Sequence, residues 1–187
     1  LKQQTQNVIE ISGFHISYTL VEHMVRCYAY RIDVPRKGKF DLKRAEQLNI
    51  PKIIWSKLQK EGIAYYNDKE YTADMVMGEP RKGISVVYCT DSRPIDSLIT
   101  FSKYADLLIC EGMYGEEEKK QKAIEKKHMI FSEAARLAKQ ANVSRLWLTH
   151  FSPALLEPEL YLQNAKQIFE QTELGEERKV ISLYFTE

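Results

Sequence analysis

The chain has 187 residues, 44% of them hydrophobic and 28% charged, with a formal net charge of +1. That length and apolar content support one sizeable core with an appendage, and the lack of any run of ~18 apolar residues excludes a membrane-spanning helix. A charge this close to zero excludes wholesale coating of nucleic acid while leaving room for a local basic patch.

Three cysteines, Cys27, Cys89 and Cys110, sit singly in apolar or aromatic runs without CxxC spacing. This is the pattern of buried free thiols in a reducing compartment such as the cytoplasm. The sequence opens "LKQQTQ", with no initiator methionine and no basic stretch leading into an apolar one. The expectation is a chain without a secretion signal that forms the later portion of a longer protein.

In chain order, "NVIEIS", "FHISYTLV" and "CYAYRID" alternate apolar and polar positions, which predicts antiparallel strands over the first thirty or so residues. From Pro35 to Gly83 the chain turns polar and basic. It holds two short helical segments, "DLKRAEQLN" with Asp41 as N-cap and "IIWSKLQK", and then a hairpin, "IAYYNDKEYTA". This stretch reads as an excursion from the core, either a functional appendage or a solvated surface insertion.

After Gly83 the order becomes regular. It runs strand "ISVVYCT", a helix from about Pro94 to Lys103, strand "ADLLICE", a charged helical stretch, helix "FSEAARLAKQA" and strand "SRLWLTH". A helix from about Pro158 to Gln171 and a strand "KVISLYF" complete it. Near-continuous apolar strands alternating with amphipathic helices predict an α/β fold with a helix-covered sheet.

Ligands and catalytic groups in such sheets gather at the carboxyl ends of the strands. Here "ISVVYCT" runs into Asp91, "ADLLIC" into Glu111, "SRLWLT" into His150, and "YTLV" into Glu22 and His23. Each histidine taken alone is equally a half-buried residue bonded to backbone groups. Jointly, imidazoles and carboxylates at comparable strand ends suit zinc, manganese or iron, and an aspartate between two cations can bridge them. No HExxH or CxxC spacing accompanies them.

The segments "EHMVRCYAYRI", "PRKGISVVYCTDSRP", "ADLLICEGMYG" and "KHMIFSEAARLAKQANVSRLWLTHFSP", in this order and spacing, resemble the carboxyl-terminal half or more of the ribonuclease Z family. Its members are tRNA 3′-processing endonucleases of the metallo-β-lactamase superfamily. The resemblance implies a partial αββα sandwich, the carboxyl-terminal half of that fold, with Pro35–Gly83 inserted as an arm. It implies two zinc ions, with manganese as an alternative, held in part by His23 on the first ion, His150 on the second and Asp91 bridging both. It places His128 beside the scissile phosphate as proton donor or charge stabiliser for the leaving oxygen. In the arm, Arg36, Lys37, Lys43 and Arg44, with further lysines, would grip the backbone of a precursor tRNA. A cytoplasmic homodimer is implied as well.

Several departures stand out. Thr90 replaces the family's glycine before the aspartate, Cys110 a common histidine, and "SPA" follows His150 where an arginine-containing segment is common. The arm carries "NIPKIIW" where a Gly-Pro motif is expected. The superfamily's HxHxDH motif is absent, and the histidines are only His15, His23, His128 and His150. Two zinc ions need about six or seven protein ligands, so the chain alone would be inactive. Either an amino-terminal half carrying HxHxDH completes the enzyme, or the chain is a non-catalytic RNA-binding or dimerising half. Another superfamily hydrolase acting on a small ester or phosphodiester is the alternative enzyme.

Overall fold

The computed structural model describes residues 8–186. The opening "LKQQTQ", the first residue of the "NVIEIS" run and residue 187 lie outside the described residues. The chain divides into two compact units, one running to Val34 and resuming at Ile84, the other Pro35–Gly83.

In chain order the elements are β1 (Ile9–Ile11), β2 (Phe14–Val21), β3 (Cys27–Arg36), α1 (Leu42–Gln47), α2 (Trp55–Glu61), β4 (Ile63–Tyr66) and β5 (Lys69–Thr72). They continue with β6 (Arg81–Cys89), α3 (Asp96–Phe101), β7 (Leu107–Glu111), α4 (Lys120–Lys126), α5 (Phe131–Gln140), β8 (Leu146–Thr149), α6 (Leu162–Lys166) and β9 (Thr172–Leu174). β1, β2 and β3 form an antiparallel meander, and Ser12 and Gly13, both at positive φ, make the tight turn between the first two. β6, β7, β8 and β9 pair in parallel, with α3, α5 and α6 in the successive crossovers. The strand order is β1-β2-β3-β6-β7-β8-β9.

One face of this sheet is dry. Ala29, Val87, Cys89, Leu108, Cys110, Leu146, Leu148 and Leu174 pack with Leu98, Phe101, Ala134, Leu137 and Ala165 of the helices. Burying each large aliphatic or aromatic side chain contributes about 1.5–3 kcal/mol, so this layer is the main source of the unit's stability. Cys89 and Cys110 sit opposite one another inside it, and all three cysteines are free thiols.

Strand alternation puts a second apolar set on the other face. Phe14, Leu20, Tyr30, Ile32 and Tyr88 lie there, between 38% and 45% exposed. Contiguous apolar exposure of this kind marks a surface built to be covered. Prepared as these 187 residues alone, the chain is expected to self-associate through this face, and Leu20→Lys with Tyr30→Lys to weaken the association. Sedimentation velocity checks this, and a monodisperse monomer of the unmodified chain would count against a covered role for the face.

The second unit has a small core of its own: Ala45, Ile50, Ile54, Leu58, Ala64, Tyr71 and Val76. Asp41 caps α1 by accepting the Arg44 amide at 3.0 Å, and Gly62, at φ +84°, ends α2. β4 and β5 form a hairpin whose central Asn67 and Asp68 both take positive φ.

Two sequence expectations are corrected. "KVISLYF" is not a strand, since Val180 to Phe185 carry no regular structure and Val180 and Tyr184 are highly exposed. The edge beside β8 is taken instead by β9, whose Thr172 and Leu174 pair with Leu146 and Leu148. The helix expected from Pro158 to Gln171 is shorter, a 3-10 turn at Pro158–Tyr161 followed by α6. No described helix is long and apolar enough to cross a membrane.

Candidate metal centre

Four strands of the larger unit end in one place. β2 stops two residues before His23, β6 two residues before Asp91, β8 one residue before His150, and β7 terminates on Glu111. Asp91 and His150 take left-handed backbone, φ 53° and 57°, which swings each side chain out of the strand line. Lys127, the αL cap of α4, does so too at φ 56°, and delivers His128 into the same cleft. Such conformations cost a non-glycine residue roughly 1–2 kcal/mol, and they cluster where function requires them.

Asp91 Oδ1 is the centre of the group. It lies 3.5 Å from His150 Nε2, 3.8 Å from His23 Nε2 and 3.9 Å from His128 Nδ1. These separations are too long for hydrogen bonds, whose N···O distances end near ~3.2 Å. They come close to the ~3.4 Å between two ligands of one tetrahedral zinc with bonds of ~2.1 Å. His23, Asp91 and His128 bring one donor atom each within 4.8 Å of one another, as do Glu111, His128 and His150. This mixed nitrogen and oxygen set suits zinc or manganese.

His23 is held as a metal-ligating histidine is. Its Nδ1 donates to the Lys127 carbonyl at 3.0 Å, which leaves the Nε2 lone pair facing Asp91. The His23 and His128 rings stand 4.8 Å apart, and the His128 and His150 rings 5.7 Å.

His128 differs from the other two. Its Nδ1 lies 3.1 and 3.2 Å from the two oxygens of Glu111. Glu111 is fully buried and also accepts the amides of Ser92 at 2.5 Å and Met129 at 2.9 Å. The Glu111 hydrogen bond raises the His128 pKa above its usual value, against a burial effect that lowers it, with the charges of Glu111 and Asp91 adding to the rise.

The structure therefore brings together His23, Asp91, His128 and His150, all in the larger unit. Arg36, Lys37, Lys43 and Arg44 belong to the other unit. Lys37 Nζ there lies 3.3 Å from the Lys60 carbonyl and 3.4 Å from that of Gln59, while Lys43 and Arg44 are exposed on α1. Glu111 stands at its strand end in the sequence with no role that its spacing assigns. A carboxylate closing the apolar run "ADLLIC" was the available signal, because a buried charge requires partners.

The family profile described as "Beta-lactamase superfamily domain" matches residues 57–151. The chain belongs to the beta-lactamase superfamily. This superfamily chain is 54% identical over 178 residues to the Ribonuclease Z of Clostridium acetobutylicum, covering 95% of its own length and 58% of that protein. It is 53% identical over 178 residues to the Ribonuclease Z of Clostridium kluyveri, covering 59% of it. The superfamily chain thus spans less than two thirds of the length of the curated relatives it matches.

Among solved structures it is similar to the metallo-beta-lactamase fold protein YhfI from Bacillus subtilis, with 25% identity and a TM-score of 0.55. That match covers 89% of this chain and 48% of YhfI. The short form of human tRNase Z, at 18% identity and a TM-score of 0.56, covers 95% of this chain and 46% of its own, and shows the shared fold.

Proposed function

We propose that this chain is the carboxyl-terminal part of a zinc-dependent endoribonuclease that hydrolyses a phosphodiester at the 3′ end of precursor tRNA. The observation that carries the reading is Asp91 Oδ1, flanked at non-hydrogen-bonding distance by three imidazoles, His23 and His150 from converging strand ends and His128 from the end of α4. The name Ribonuclease Z, shared by the two curated relatives, supports an RNA substrate, and the family resemblance of the sequence points to the 3′ end of precursor tRNA.

His23, Asp91 and His150 would hold the metal, zinc or in its place manganese. A bound ion supplies positive charge for phosphoryl oxygens and lowers the pKa of water. Asp91 contributes the negative charge that such cations need in a cleft of imidazoles. His128, its Nδ1 engaged by Glu111, presents Nε2 as the remaining ring nitrogen and gives a proton or positive charge to the departing ribose oxygen. Glu111 fixes the ring, and its own buried position is satisfied by two backbone amides.

Two ions need about six or seven protein ligands. The remainder would come from a segment carrying HxHxDH, in the part of the relatives' length that this chain does not span. The exposed apolar face of the sheet is where such a segment would pack. A cytoplasmic homodimer completes the reading.

The test uses protein expressed from the complete reading frame. It should release the 3′ trailer of a precursor tRNA, lose activity with a chelator and regain it with zinc or manganese. Hydrolysis of a small phosphodiester with the RNA left intact would favour another hydrolase of the superfamily. RNA binding with no metal uptake would favour a non-catalytic half.

In the Pro35–Gly83 arm, Lys43→Glu with Arg44→Glu should weaken tRNA affinity on the order of tenfold or more at low salt, and less at high salt. Hydrolysis of a small phosphodiester should be unchanged. Filter binding across a salt series, beside hydrolysis of the small ester, reads both effects. Equal loss on both substrates would remove the arm from RNA recognition.

A further inference from the structure

His23, Asp91 and His128 come from segments far apart in the chain, and a single residue that is not a candidate ligand is tied to all of them. Arg93 follows Asp91 by two positions. Its amide donates to the Glu22 carbonyl at 2.9 Å, immediately before His23. Its guanidinium donates through Nη1 to the His128 carbonyl. The same group forks onto Glu133, Nη1 to Oε2 at 2.9 Å and Nη2 to Oε1 at 2.6 Å.

Glu133 also accepts the Ile130 amide at 3.2 Å, in the first turn of α5. The pair is withdrawn from solvent, the Arg93 and Glu133 side chains being 15% and 8% exposed. A buried ion pair is a poor source of stability, because desolvation offsets most of the attraction. What this one supplies is geometry. A planar guanidinium divided between a carboxylate and a main-chain carbonyl fixes the carbonyl's position as a point-charge ammonium cannot.

We propose that Arg93 is a positioning residue: held by Glu133, it fixes the His128 carbonyl and the Glu22–His23 turn, so that both imidazoles face Asp91 before any ion arrives. The inference rests on the metal-centre reading for its purpose, and on the hydrogen bonds of Arg93 for its content. Outer partners of ligating residues commonly tune metal affinity by about 10- to 100-fold.

The experiment compares Arg93→Gln with the parent, both expressed from the complete reading frame and stripped of metal. In Arg93→Gln the ring NMR signals of His23 and His128 should be displaced, and zinc affinity, measured by chelator competition, should fall about tenfold. Arg136→Gln is the control, since Arg136 lies on the same helix and its Nη2 meets Ser132 Oγ at 3.0 Å. It should move neither signal nor affinity.

Should Arg93→Gln fail to fold, Arg93→Lys decides, because it keeps the charge beside Glu133 and loses the fork. Histidine signals that stay in place in the folded variant, whatever happens to its melting temperature, overturn the proposal by reducing Arg93 to a structural role. Displaced signals in a protein whose parent binds no zinc would uphold the positioning and sink the metal-centre reading, so the two failures are distinguishable.

Discussion

In protein expressed from the complete reading frame, the proposed function predicts that Asp91→Asn removes metal and activity together, with cleavage of precursor tRNA falling on the order of a thousandfold or more. Asparagine is the informative replacement. Asp91 holds φ 53°, a left-handed conformation that asparagine tolerates nearly as well as aspartate and alanine does not. The change therefore takes away the charge with little added backbone strain. What remains around the site is three imidazoles, with nearest nitrogens 3.5 to 3.9 Å from the lost oxyanion. Glu111 cannot substitute, because its oxygens are already engaged by two amides and by His128. Zinc content by atomic absorption, with circular dichroism to establish that the fold persists, checks the result. An Asp91→Asn protein that keeps its zinc would show that Asp91 is no ligand.

The parts of the fold that could be read from sequence were those whose side-chain pattern and surroundings agree. β2 and β3 alternate because one face packs on helices and the other is open, and β7 and β8 are continuously apolar because they lie inside the sheet. "KVISLYF" carries the same alternation as β2, yet "TEL" takes the position beside β8 and Val180 to Phe185 join no strand. Pattern reports what a segment can do, and neighbours decide whether it does.

The same division holds at the site. Asp91, His150 and His23 were legible because strand ends converge in any sheet with parallel crossovers. His128 follows a short helix rather than a strand, so only family resemblance singled it out. The left-handed turn at Lys127 that brings it into the cleft has no residue signature, since lysine is not a favoured αL residue. Arg93 and Glu133, 40 positions apart, meet only through the fold, and no local spacing announces the pair.

The hardest test of the divided roles is His128→Ala paired with Glu111→Gln. On the proposed roles, His128→Ala in protein from the complete reading frame should lower cleavage of precursor tRNA by about 10²- to 10⁴-fold, the usual contribution of a positioned acid or base. Zinc content should stay near that of the parent, because His23, Asp91 and His150 remain. Glu111→Gln should lower the rate in the same direction while leaving every proposed ligand intact. A glutamine offers one acceptor oxygen and one NH₂ where two buried amides and an imidazole N–H all require acceptors. One of those donors is left unsatisfied, at a cost of about 1–3 kcal/mol, and the His128 ring loses the partner that orients it. The double variant should then be little worse than His128→Ala alone, since the two residues act as one unit. The geometry also permits the opposite assignment, because His128 Nδ1 is only 3.9 Å from Asp91 Oδ1. Loss of zinc from His128→Ala would make it a ligand, and a Glu111→Gln rate equal to the parent's would separate the buried carboxylate from the chemistry.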